Sequence, residues 1–108
     1  MTTQDSLSAE ILKKIKEYAR SVDPDAEVIL FGSRARGDAH ADSDWDILIL
    51  ISSAVTLTAE QAFRHKLFEI ELEYGIAIST FVYSKTDWNG KFRATPLYDS
   101  ITKEGTAI

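Results

Sequence analysis

Cysteine is absent from this chain of 108 residues. That removes disulfides, thiolate zinc sites and cysteine nucleophiles together, and it gives no sign of an oxidising compartment. No stretch approaches the ~20 consecutive apolar residues of a membrane span. Residues 1–14 are polar and charged where a secretory signal would be apolar. A cytoplasmic protein with no membrane partner is the expectation. Positive charge is scarce: 12 Lys and Arg stand against 17 Asp and Glu, a net charge of −5. Binding of bulk DNA or RNA by counterion release needs clustered cations, so general nucleic-acid affinity is disfavoured. Repeats and low-complexity linkers are missing as well. With 44% hydrophobic and 27% charged residues, neither disorder nor a fibre is suggested, and the length suits one domain over residues 1–108 with a single modest core. Any second substrate must then come from elsewhere.

Apolar residues Leu7, Ile11, Ile15, Tyr18 and Val22 recur at three or four residues with charges between them, which predicts an amphipathic helix capped at Ser6 and ended by Asp23-Pro24. Glu27–Phe31 is a short run rich in β-branched residues that stops at Gly32, as a buried strand would. Residues 47–51 form a second such run, entered through carboxylates. Phe63, Leu67, Ile70 and Tyr74 mark another helix, closed by Gly75. Residues 76–83 form a third strand. Residues 84–92 suit a short helix, and Thr95-Pro96 suits a cap followed by proline in the first turn, with Gly105 as the stop. The order helix, strand, strand, helix, strand, helical tail predicts an α+β (mixed α/β) fold, a small sheet covered by helices on one face.

The chemistry is concentrated in residues 31–46, Phe-Gly-Ser-Arg-Ala-Arg-Gly-Asp-Ala-His-Ala-Asp-Ser-Asp-Trp-Asp. A glycine ending a strand lets the backbone approach a ligand, and a helix starting at Ser33 would turn free N–H groups toward an anion. Asp44 and Asp46, two apart on a strand, can converge on one hard cation while Trp45 turns away. Magnesium takes one or two carboxylates together with substrate phosphates. A phosphate cradle beside paired acids is what metal-dependent phosphoryl or nucleotidyl transfer requires. Two rival motifs fail on the same residues. A P-loop would need Lys where Asp38 stands, and an EF-hand would need Gly at Ile47 and Glu at Ser53.

Gly32-Ser33, ten intervening residues, then Asp44-x-Asp46 and an apolar strand resemble the signature of the polymerase-beta-like nucleotidyltransferases. The insert Ser-Arg-Ala-Arg-Gly strengthens the likeness. The length, and the ending Pro96-Leu97-Tyr98 through Lys103-Glu104-Gly105, resemble the minimal nucleotidyltransferases within that superfamily. The resemblance implies a small mixed sheet, ATP with Mg2+, Gly32 and Ser33 on the terminal phosphates, and Asp44 and Asp46 as catalytic metal ligands. It also implies an antitoxin that adenylylates a tyrosine of a helical HEPN-type toxin. The chain departs from the pattern at Ser79, where active relatives carry a third carboxylate that helps hold the metal and activate the attacking hydroxyl. No acid occurs in residues 76–83, and Glu73 and Asp87 do not fall at the required place. The alternative raised by Ser79 is a non-catalytic module that acts by complex formation. An enzyme for a small hydroxylated molecule, and a homo-oligomer, stay open.

The remaining polar residues carry weaker expectations. Arg34 and Arg36 suit either forked donation to phosphate or surface pairing with an acid. Asp42 suits a cap for the turn at Ser43 more than an acid standing behind the metal ligands, and Asp38 suits solvent. His40 and His65 lack a second histidine or cysteine at ligand spacing, so zinc is not expected. Trp88, Phe92, Leu97 and Tyr98 could lid the sheet or form an exposed patch for a partner.

Overall fold

The computed structural model describes residues 3–108, with side chains from Ser6 onward. The first helix, α1 (Thr3–Val22), buries Ile11, Ile15 and Ala19. It begins three residues ahead of the expected cap, so Ser6 lies within the helix. Nothing before Ser6 in the helix is proline or glycine, so nothing there halts the winding. The turn after α1 is closed by Asp25 N–H donating to Asp23 Oδ1 at 3.0 Å, and β1 (Glu27–Phe31) follows with the expected bounds.

After the short α2 (Ser33–Arg36) and a loop comes β2 (Trp45–Ile51), which is antiparallel to β1. The crossover helix α3 (Leu57–Tyr74) starts at a Thr56 cap that accepts from Ala59 N–H at 3.1 Å. It ends at Gly75, φ 65°, whose N–H reaches Glu71 O at 2.9 Å. Ile76 N–H shares that carbonyl at 3.3 Å, which ties residue 76 into the helix cap and delays β3 to Ile78–Ser84. β3 runs parallel to β2. Ser84 then caps α4 (Lys85–Asn89), and Thr95 caps α5 (Pro96–Glu104), which Gly105 ends. A two-residue strand, β4 (Thr106–Ala107), joins β1 and completes the order β3-β2-β1-β4.

Helices cover both faces of the sheet, where the sequence pattern predicted one. The hydrophobic run of β2 explains this: Ile47, Ile49 and Ile51 pack toward α1 and α3, while Leu48 and Leu50 pack toward the tail. A central strand buried on both faces reads as a continuous apolar run. The aromatic tail is therefore a lid. Trp88 is 5% exposed and lies 5.5 Å from Tyr83 and 5.1 Å from Tyr98, and Phe92 is 4.7 Å from Tyr83. The outer edge of β3 is guarded by α3. Arg64 donates to Thr80 O at 3.0 Å, and Glu71 accepts from Ile78 N–H at 2.8 Å. Charged caps of this kind blunt an edge strand against pairing with another chain. Among the described residues, no helix is long and apolar enough to cross a membrane.

Topology alone gathers one end of the sheet. β1 finishes where β2 begins, and β3, parallel to β2, begins there as well. Phe31, Asp46 and Ser79 consequently stand side by side across three strands.

Candidate active site

Gly32 leaves β1 with φ 76° and ψ −158°, a conformation L-residues avoid. It is buried, and a Cβ there would overlap the Asp46 carboxylate. Glycine is thus required twice over, for the backbone angle and for the close approach of an acid. Gly32 O accepts from the N–H groups of Ala35 and Arg36, both at 3.1 Å, which winds the single turn of α2. Gly37, φ 83°, stops it. The first turn leaves Ser33 and Arg34 N–H without intrahelical acceptors.

Asp46 lies inside β2 and is half-buried, whereas Asp44 lies just ahead of the strand and is exposed. Trp45 between them is 2% exposed on the α1 side, and its indole N–H has no hydrogen-bond partner among the described residues. Burial first, then the charge of Asp44, raises the Asp46 pKa, while Arg36 opposes the rise and Glu104 adds to it. Ser79 Oγ donates to Asp44 Oδ2 at 3.4 Å. The residue at the third-acid position therefore lies against the first acid and in register with the second. Two carboxylates and a hydroxyl make an all-oxygen donor set suited to a hard cation such as magnesium, which fills its shell with water and phosphate. Among the described residues no cluster of three or more His, Cys, Asp or Glu could hold a metal ion.

The two arginines are employed differently. Arg34 Nε and Nη2 donate to Ser43 O at 3.1 and 2.9 Å, and Nη2 also reaches His40 O and Ala41 O at 3.3 Å. Its guanidinium lies 4.2 Å over the Trp45 ring. Burial pulls its pKa down and Asp44 partly offsets this. Arg34 thus braces the loop that delivers Asp44, rather than reaching toward a phosphate. Arg36 Nε donates to Asp38 Oδ2 at 3.2 Å, and Nη1 reaches Glu104 Oε1 and Oε2 at 3.2 and 3.3 Å. Asp38, expected in solvent, is exposed but paired. Asp42 caps nothing, because the turn at residues 40–43 is closed by Ser43 itself, whose Oγ accepts from His40 N–H at 2.8 Å. His40 and His65 are exposed.

Sequence reasoning passed over Glu104 as a site residue. Its only signal was its place before a helix-ending glycine, whereas its partner Arg36 lies 68 residues away. A concavity of about 470 Å³ between α3 and the β3 edge is lined by Gln61, Arg64, His65, Phe68, Glu71 and Ile78. Neither Asp44 nor Asp46 lines it; both stand at the open strand ends instead.

A family model described as nucleotidyltransferase domain matches residues 12–106. A protein of Methanocaldococcus jannaschii named as a protein adenylyltransferase is 40% identical over 82 residues, covering 71% of this chain and 83% of its own. Among solved structures, a toxin–antitoxin complex with AMP-PNP contains a chain that matches at TM-score 0.65 and 20% identity, over 88% of this chain and 69% of that one. A variant of the toxin–antitoxin pair MntA–HpeT matches at TM-score 0.64 and 18% identity, with the same coverage. At such identities the two structures show a shared fold.

Proposed function

The chain belongs to the nucleotidyltransferase domain family, and from that premise we propose that it binds ATP with magnesium and transfers AMP to a tyrosine of a helical HEPN-type toxin, as its antitoxin. The observation that carries the reading is the Asp46 carboxylate seated against the Cα of Gly32, with Asp44 and Ser79 beside it. That seat puts a phosphate-binding turn and two metal-ligating acids at one point. Held by Asp44 and Asp46, magnesium would neutralise phosphate charge and orient the reacting oxygen. The amides of Ser33 and Arg34 and the Ser33 hydroxyl meet the terminal phosphates, and Arg36 adds a guanidinium at the same edge. Arg34 keeps Asp44 in place through the loop carbonyls. In the transfer, the tyrosine hydroxyl gives up its proton to solvent as its oxygen forms a bond to the α-phosphorus and the bond to pyrophosphate breaks.

Electrostatics makes binding metal-dependent. Asp38 and Glu104 pair with Arg36, Asp46 feels both Arg36 and Asp44, and Arg34 is spent on the loop. Four carboxylates against one guanidinium repel a bare triphosphate. A protein acceptor is supported by the name of the Methanocaldococcus relative, and a toxin partner by the complexes that share the fold. Titration of ATP with and without magnesium, repeated with Asp44→Asn and Asp46→Asn, tests the site. Magnesium-dependent binding lost in both variants is expected. Binding unchanged by both removes the assignment.

Ser79 favours a second reading, in which the fold binds nucleotide and partner without transfer, because no acid stands where the third ligand and base belong. Labelled ATP offered with a partner toxin separates the two. Label on the toxin supports transfer, and a stable unlabelled complex supports the binding module. Under the transfer reading, Ser79→Asp raises the rate.

A further inference from the structure

We infer that Glu104 is a positioning residue that pins Arg36 at the edge of the acidic site, so that the unspent Nη2 of Arg36 faces the pyrophosphate end of a bound nucleotide. This rests on the ATP reading of the site given above.

Arg36 sits on a helix of four residues with its side chain 46% exposed, a setting in which a free arginine samples many rotamers. Here two acids from different segments fix it. Asp38 takes Nε, and both oxygens of Glu104 take Nη1, leaving Nη2 without a protein partner among the described residues. Forked, charge-assisted contacts of this kind fix direction as well as charge.

Glu104 is itself firmly placed. The following Gly105 N–H donates to Ile101 O at 2.7 Å, and a Cβ at Gly105 would press on that carbonyl and on Ile29 of β1. The chain then pairs with β1, Leu30 opposite Thr106. Continuing that register brings Glu104 level with Gly32, the residue that makes the phosphate turn. An unpaired carboxylate there would repel phosphate. Engaged with Arg36, it instead supports a cation with N–H groups to spare.

The two roles predict opposite signs. As a positioning residue, Glu104→Ala weakens binding of magnesium–ATP and of magnesium–pyrophosphate by about tenfold, the loss of roughly one well-directed charge-assisted contact. AMP, which lacks the terminal phosphates, binds unchanged. The loss shrinks to nothing when Glu104→Ala is added to Arg36→Ala, because no guanidinium remains to be positioned. Glu104→Gln, which keeps one acceptor oxygen and the volume, falls between the parent and Glu104→Ala, and it carries the same test should the alanine variant fail to fold.

Unchanged or tighter magnesium–ATP binding in a folded Glu104 variant would overturn the inference, as would equal losses for ATP and AMP, or a loss that persists without Arg36. Absence of magnesium–ATP binding by the parent chain would instead overturn the ATP reading and take this inference with it.

Discussion

The two faces of the sheet are built from different material. Among the described residues, fourteen buried side chains, mostly aliphatic, fill the space between the sheet and the two long helices α1 and α3. Against the tail lie five, Phe31, Leu48, Leu50, Trp88 and Ile101, supplemented by half-buried aromatics from β3 and the tail, Phe81, Tyr83, Phe92 and Tyr98. Asp46 shares strand parity with Leu48 and Leu50, and Glu104 comes from α5, so the acidic site belongs to the thinner face. The difference teaches a division of labour. One face holds the fold, and the other, with less packing to protect, tolerates carboxylates that cost stability.

Core truncations on opposite faces of β2 test that division most severely. Ile47→Ala is expected near the top of the range for buried aliphatic residues, about 4 kcal/mol, and Leu50→Ala nearer 2 to 3 kcal/mol because the tail can settle into the gap. Chemical denaturation measures both, and equal losses would break the comparison. Gly32→Ala places a strained φ and a clash with Asp46 on the thin face. It should cost about 1–3 kcal/mol and also remove magnesium–ATP binding, read by melting and calorimetry.

Arg34→Lys keeps the charge but loses the fork on the Ser43, His40 and Ala41 carbonyls. A stability loss of about 1 kcal/mol and severalfold weaker metal-dependent binding are expected. Strong binding with a loosened loop would show that Asp44 needs no brace.

Asp46→Asn should give the smallest change in stability, and with the opposite sign. Because burial and Asp44 raise the Asp46 pKa, the folded chain holds that proton more tightly than the unfolded one. Stability therefore falls as pH rises from the ordinary carboxylate value through the raised one. At neutral pH without metal the Asn variant melts higher than the parent, and the gain vanishes in acid, where Asp46 is protonated in both states. A lower melting temperature at neutral pH would place the acid among stabilising residues.

What the sequence made legible follows the range of the interactions concerned. Glu27–Phe31 is bounded by Gly32, α3 is ended by Gly75, and α5 is bounded by Thr95-Pro96 and Gly105, all devices acting within a few residues. The spacing of Gly32, Asp44 and Asp46 was equally local, and antiparallel pairing of β1 with β2 brings them to one end of the sheet. β4 escaped notice because two residues carry no periodicity and its partner strand lies at the opposite end of the chain. The second covered face escaped for a related reason, since a continuous apolar run such as Ile47 to Ile51 does not announce that it is buried twice. Arg34 and Arg36 read alike in sequence. Only folding gives one to loop carbonyls and the other to Glu104.

Trp45 and Trp88 are the two tryptophans of the chain, and the fold assigns one to each face. Trp45 lies beneath Arg34 between the two acids, and Trp88 is packed between Tyr83 and Tyr98 in the lid. Each face therefore carries its own fluorophore. With Trp88→Phe the remaining emission follows the acidic end of β2, and with Trp45→Phe it follows release of the aromatic tail. Light from one indole reports the chemistry, and light from the other reports its cover.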